Sequence, residues 1–242
     1  MSLGLSYPVI RGAKEFVMRR ALDQAKLNSV YNRVAERYDL QHAFLTAKSD
    51  QRGRKLLVDK AVSAGDSVLD CGAGTGSTGL LAAHRVGESA KVVLLDQCEG
   101  MLAVAKARAA QAQVLDRVAI IEGDMLGLPF ADNRFDVVLS TYSMCPVYDP
   151  VKALAEVFRV TKPGGRIGIA HSSAPGSPIL KWFADGIENI VWHLPSISLG
   201  CRTVDLLPAL DQLACKIIFK QLIGVPLWPF LVIVAEKPTD NS

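Results

Sequence analysis

The chain has 242 residues, half of them apolar and 21% charged, with a formal net charge of +3. That length suits one large domain or two small ones and supports a core without disulfides or metals; the apolar content and low net charge exclude a disordered chain. The longest apolar run, Leu222–Ala235, is interrupted by Pro226 and Pro229, too short and too broken for a spanning helix of about 20 residues.

The opening stretch MSLGLSYPVIRG lacks the basic end and apolar core of a signal peptide, so a soluble, cytoplasmic protein is expected. The five cysteines (71, 98, 145, 201, 215) form no C-x-x-C pair and no zinc-spaced cluster. They read as reduced thiols buried like small hydrophobes, and no metal is expected.

Residues 1–60 read as an N-terminal helical segment. Val9, Ile10, Ala13, Phe16, Val17 and Leu22 recur at helical spacing with Arg11, Lys14, Arg19, Arg20 and Lys26 between them. This segment carries twelve Lys/Arg against six Asp/Glu. Such a basic amphipathic helix either caps a domain edge or lies on a membrane surface. The basic residues form no focused patch of the kind nucleic acid needs, so no nucleic acid partner is expected.

From residue 61 onward strands and helices alternate. Strands are expected at 67–70, 91–96, 117–121, 135–140 and 166–171. Helices are expected at 77–86, 99–110 and 151–160, the last stopped by Lys162-Pro163-Gly164-Gly165. Near-continuous apolar strands separated by helices imply a parallel sheet covered on both faces. Residues 172–200, rich in Pro, Gly and aromatics, read as an inserted helical lid. A helix at 203–214 and strands at 216–220 and 230–236 follow, the strands as an antiparallel hairpin at the sheet edge. The expected architecture is one α/β domain: a seven-stranded doubly wound sheet, N-terminal helices and a lid.

The most informative stretch is Val68-Leu69-Asp70-Cys71-Gly72-Ala73-Gly74-Thr75-Gly76. A strand runs into Gly72, Gly74 and Gly76, and a helix follows. Glycine lets the backbone turn sharply against a ligand, and parallel sheets bind ligands beyond their strand carboxyl ends. Gly74-Thr75-Gly76-Ser77-Thr78-Gly79 satisfies the dinucleotide string G-x-G-x-x-G, but the turn begins at Gly72 and the third glycine then falls at Ser77. Asp70 would face a pyrophosphate, whereas it suits a cationic ligand carrying an amine. S-adenosylmethionine (SAM) is therefore preferred over NAD. Asp96, ending the second strand with Gln97 beside it, is placed to accept hydrogen bonds from ribose hydroxyls. Asp124 is placed to accept the exocyclic amine of adenine, with Met101 and Met125 as apolar contacts. Ala73 and Ser140, at the same strand ends, complete the expected cofactor set.

These residues resemble the motifs of the class I SAM-dependent methyltransferases over Tyr31 to about His171. The ordered set is VLDCGAGTG, LLDQ, EGDMLGLPF, FDVVLS and VFRVTKPGGRIGIA. Within that class, Tyr31-Asn32-Arg33-Val34-Ala35-Glu36-Arg37-Tyr38-Asp39 resembles the segment upstream of the sheet in the ubiquinone/menaquinone biosynthesis C-methyltransferases. Phospholipid N-methyltransferases carry similar segments. The resemblance implies that Tyr38 closes over the methionine end of SAM, with S-adenosylhomocysteine as product. The string of amino-directed nucleic acid methyltransferases is absent after the fourth strand, where Ser140-Thr141-Tyr142-Ser143-Met144-Cys145-Pro146 stands instead.

Methyl transfer from a sulfonium is an in-line displacement with a neutral leaving group, so positioning carries most of the catalysis. A phenolic carbon nucleophile also needs the phenol ionised. His171 is the expected base, Tyr142 the group that orients the acceptor, and Arg202 the cation stabilising a phenolate; His193, His42 and His84 are weaker candidates. The aromatics Trp182, Phe183 and Trp192 suit a lipophilic acceptor and peripheral membrane contact. The expected function is methylation of an apolar small molecule, C-methylation of a prenylated quinone precursor first. A phospholipid amine, another small metabolite, and a non-catalytic SAM-binding protein are the alternatives; a homodimer is compatible with all of them.

Overall fold

A computed structural model describes residues 24–35, 48–192 and 201–239. Before the sheet lie helices α1 (Gln24–Val34) and α2 (Ser49–Ala61). Then β1 (Val68–Cys71), α3 (Ser77–Val86), β2 (Val92–Asp96), α4 (Glu99–Gln111) and β3 (Val118–Glu122) alternate. They are followed by β4 (Phe135–Thr141), α5 (Pro150–Val160), β5 (Thr161–Ser172), α6 (Pro178–Trp192), α7 (Leu207–Gln212), β6 (Lys216–Val225) and β7 (Trp228–Glu236).

The strands form one sheet in the order β3-β2-β1-β4-β5-β7-β6. The first five are parallel, and β7 runs antiparallel to both β5 and β6. The expected edge hairpin is therefore present, with its second strand on the inner side.

Alternation along β1 explains the two cores. Leu69 and Cys71 point to the face covered by α5 and α7, where Leu154, Val157 and Leu210 pack. Val68 points to the other face, covered by α2, α3 and α4 through Leu57, Ala61, Ala83 and Ala105. Strands buried on both faces need apolar residues at nearly every position, which is why they read as continuous runs. Helix α5 starts where Asp149 accepts the Lys152 N–H at 2.9 Å and Pro150 occupies the first turn.

Three boundaries differ from expectation. Strand β5 begins at Thr161, because Thr161 pairs with Phe135 across an irregularity before the ladder resumes at Val137↔Arg166. Helix α7 is confined to Leu207–Gln212, with Pro208 in its first turn, and Thr203–Leu206 lie outside it. Strands β6 and β7 are longer than expected because their pairing continues to Val225↔Trp228. The segment expected as a lid contains α6 over 178–192, none of whose described residues lines the cleft described below; residues 193–200, with His193, lie outside the described residues, as do 1–23 and 36–47, with Tyr38 and His42.

Candidate active site

At the end of β1 the chain reverses through Gly72, Gly74 and Gly76, whose φ angles are 75°, 54° and 79°. This left-handed region is accessible to glycine without steric penalty. The Gly72 and Ala73 N–H groups both donate to the Leu95 carbonyl, at 2.8 and 2.9 Å, which ties the turn to β2. A Cβ on Gly72 would collide with the Ser143 side chain, so the turn and the segment after β4 meet at a position only glycine fits.

Asp96 completes the turn from β2. Its Oδ2 accepts the Gly74 N–H at 2.8 Å and its Oδ1 accepts the Cys98 N–H at 2.9 Å. Burial pushes its carboxyl above the usual range, opposed by backbone amides of Cys98, Gly74 and Gln97.

An open cleft begins here, with about 690 Å³ of empty space, its solvent-filled mouth included. Its lining includes Gly72, Gly74, Asp96 and Gln97 together with Leu95, Met101, Gly123 and Met125. Thr141, Tyr142, Ser143, Pro146 and Val147 arrive from β4 and the loop after it, and α1 adds Leu27 and Tyr31. Helix α1 is attached through Asn32, whose Oδ1 accepts from Cys98 Sγ at 3.0 Å and from the Gly100 N–H at 3.2 Å.

Several expected residues are not in the cleft. Asp70 was expected to meet a ligand amine, but alternation along β1 turns it beneath the glycine turn, onto the α2/α3 face. There it is fully buried, its Oδ2 accepting the Gly79 N–H at 2.7 Å and its Oδ1 left without a hydrogen bond among the described residues. Burial pushes its carboxyl up to about 7, against the lowering effect of Arg54 and the Gly79 amide. Asp124 is exposed at the rim, its Oδ1 accepting the Leu126 N–H at 2.8 Å, while its neighbours Gly123 and Met125 line the cleft. Ala73 and Gly76 shape the turn without lining the cleft, and Ser140 is buried behind Ser143.

The three expected catalytic residues divide. Tyr142 lines the cleft but is 3% exposed, and its hydroxyl donates to the Asp50 carbonyl at 3.3 Å. Burial pushes its phenol well above the usual value, so it stays protonated. His171 shares the face of Ile167 and Ile169 by alternation along β5 and is buried away from the cleft. Its Nδ1 lies 2.9 Å from the Ser172 carbonyl, its Nε2 has no hydrogen-bond partner among the described residues, and burial lowers its pKa. Arg202 is 2% exposed and donates from Nη2 to the Val147 and Tyr148 carbonyls at 2.6 and 3.2 Å. It holds the loop that forms one cleft wall instead of meeting an acceptor.

Sequence reasoning missed two arginines. Buried Arg54 of α2 donates from Nη1 to Thr78 Oγ1 at 3.0 Å and Thr141 Oγ1 at 2.7 Å, and its guanidinium lies 4.9 Å from the Tyr142 ring centroid. The available signal was helical spacing: Arg54 shares a face with Leu57, Val58 and Ala61. Arg108 of α4 donates from Nη1 to the Thr75 carbonyl, Thr75 Oγ1 and Ser77 Oγ at 3.2, 3.0 and 3.0 Å. Nothing in the Ala-rich helix distinguishes it from a solvated charge.

Comparison with known proteins bears on this cleft. Residues 62–197 match a family model described as a methyltransferase domain. A demethylmenaquinone methyltransferase of Symbiobacterium thermophilum is 32% identical over 203 residues, covering 77% of this chain and 80% of that protein. Another from Renibacterium salmoninarum is 40% identical over 161 residues, covering 65% and 64%. Among solved structures, the YcgJ protein from Bacillus subtilis superposes with a TM-score of 0.62 at 21% identity, covering 77% of this chain and 98% of that one; that likeness speaks for the fold alone.

Proposed function

This chain belongs to the SAM-dependent methyltransferases, and from that premise we propose that it methylates an apolar small molecule, first a prenylated quinone precursor at carbon. The observation that carries the reading is the cleft: its lining brings the glycine turn and Asp96 together with the apolar side chains of Leu27, Pro146 and Val147. The relatives named demethylmenaquinone methyltransferase support a quinone-type ring as acceptor.

SAM fits the donor set. Asp96 would accept from ribose hydroxyls, Leu95, Met101 and Met125 would flank the adenine, and Gly72 and Gly74 would leave room for the methionine end. When bound, SAM supplies an electrophilic methyl on a sulfonium. The protein's own part is alignment: the turn fixes one reactant, Val147 and Pro146 bound the other, and Tyr31 with Leu27 covers the cleft from α1.

One observation favours a second reading. Among the described residues lining the cleft, the titratable side chains are Tyr31, Asp96, Cys98 and Tyr142. Asp96 is tied to the turn, Tyr142 is a raised phenol, and His171 does not reach the cleft. An amine needs no protein base once it has lost its proton to solvent before binding, the condition a phospholipid amine would meet. Ile179, Trp182 and Phe183 on α6, 70%, 72% and 53% exposed, support an acceptor taken from a lipid phase.

The test is transfer of labelled methyl from SAM to reduced demethylmenaquinone in micelles and, in parallel, to phosphatidylethanolamine vesicles. Label on the quinol carbon supports the first reading and label on the amine the second. SAM binding with neither product leaves a non-catalytic binder or another acceptor. Absence of SAM binding overturns the reading.

A further inference from the structure

Ser143 lines the cleft directly against Gly72, and its hydrogen-bonding valences can be assigned. Its Oγ lies 3.1 Å from the Cys71 carbonyl and 2.6 Å from Ser140 Oγ. A carbonyl only accepts, so the single Ser143 hydroxyl proton goes to Cys71. The Ser140 proton must then go to Ser143. The chain Ser140→Ser143→Cys71 uses the Ser143 proton and one of its two lone pairs. What remains is one lone pair, on a residue that lines the cleft.

A second, independent observation concerns how Ser143 is placed. Tyr142, the residue before it, has φ 59°, a conformation unfavourable for any residue with a Cβ. Four contacts hold it there. Its N–H donates to the Ala170 carbonyl at 2.7 Å, its hydroxyl donates to the Asp50 carbonyl, Arg54 lies over its ring, and Phe230 packs edge-on at 5.2 Å. Strain so thoroughly braced turns the chain back on itself at one point, and the next side chain is Ser143.

We propose that Ser143 is a ligand-binding residue that offers this lone pair to a donor group of a bound molecule, either the ammonium of the methyl donor's methionine end or the N–H or O–H of the acceptor's nucleophile. The proposal rests on the methyltransferase reading. It places in the cleft a group that accepts and does not donate, which selects for protonated or hydroxyl-bearing partners at that point and against carbonyl or ether oxygens.

The test compares S143A with S140A. Both variants break the Ser–Ser hydrogen bond, and S143A also gives up the bond to the Cys71 carbonyl along with the acceptor in the cleft; melting temperatures of both variants read the structural part, so a binding or kinetic loss in S143A beyond any difference in melting temperature is the contact. Calorimetric titration with SAM and S-adenosylhomocysteine reads the first source, and KM and kcat at saturating SAM, for whichever of reduced demethylmenaquinone in micelles and phosphatidylethanolamine vesicles takes the label, read the second. The expected result is a loss in S143A about tenfold larger than in S140A on one of these arms. A larger Kd for both nucleosides assigns the contact to the ammonium. An unchanged Kd with impaired acceptor kinetics assigns it to the nucleophile. Equal losses in the two variants, or S143A within about twofold of the unsubstituted protein on every arm, overturn the role. Failure of the unsubstituted protein to bind either nucleoside overturns the cofactor reading and this contact together.

Discussion

Asp96 Oδ2 accepts the Gly74 N–H at 2.8 Å, so the carboxylate at the end of β2 fixes the middle of the glycine turn as well as facing the cleft. A single residue therefore sets both the shape of the cradle and a polar contact within it. Asp96→Ala should weaken SAM affinity by more than tenfold, because charge-assisted bonds each contribute about 1.5–3 kcal/mol. Asp96→Asn, which keeps one acceptor oxygen, should lose less. Calorimetric titration of both variants checks the order; equal affinity in Asp96→Ala would remove Asp96 from the cleft's binding role.

Arg54 predicts a stability effect with a functional shadow. Its guanidinium joins α2 to the first turn of α3 and the end of β4, close to the buried Asp70 carboxylate. Arg54→Met should destabilise the fold by about 1–3 kcal/mol, the range for leaving buried hydrogen-bonding groups without their partner. Arg54→Lys should recover part of that, since a cation returns without the two-hydroxyl fork. Denaturant melts measure the loss.

The raised Asp70 carboxyl carries a signed pH dependence. Its ordinary value is 3.8 and its folded value about 7, so between these the folded state holds the proton more tightly than the unfolded state. The contribution is complete below the lower value and is lost as pH rises through the upper one. In the Asp70→Asn variant that falling contribution should disappear, whatever the variant's absolute stability. Melting temperatures of both proteins from about pH 5 to pH 8 test it; parallel curves would contradict the assignment.

His171 is core, and its substitution should behave as core. Because it does not line the cleft and burial holds it neutral, His171→Leu should retain turnover within about threefold, and the pH–rate profile should lack a histidine inflection that the variant removes. A drop of about a hundredfold or more at unchanged SAM affinity would restore it as the base.

The exposed Trp182–Phe183 pair, ring centroids 4.9 Å apart, predicts a surface phenotype. Replacing both by alanine should leave the melting temperature nearly unchanged, since neither is buried, and should reduce cosedimentation with phospholipid vesicles. Undiminished cosedimentation would detach α6 from lipid.

Sheet, strand order of appearance and glycine turn were legible because they follow from periodicity and from glycines at alternate positions. The side-chain assignments were harder. Asp70 and Asp96 both end strands, yet one points beneath the turn and the other into the cleft. Alternation assigns Asp70 to the face of Val68, but only the packing of α2 and α3 shows that this face is closed. His171 ends a strand in the same way and is turned into the core with Ile167 and Ile169. Arg54 and Ser143 escaped attention because their roles arise from contacts spanning 87 and 72 residues of sequence, which no local window contains.

The antiparallel β7 has a consequence for how the molecule assembles. β6 precedes β7 in the chain but, among the described residues, hydrogen-bonds to no other strand, so it has no seat on the sheet until β7 has docked against β5. The other part of the sheet, β3 through β5, pairs within itself once β5 has been made, and only the outer edge of β5 is left for β7. The protein can therefore raise its cofactor half during synthesis, while the other edge waits for a later segment to arrive and act as its keystone. A truncation before residue 228 would thus release two strands, not one, and expose the edge of β5 to whatever else could pair with it.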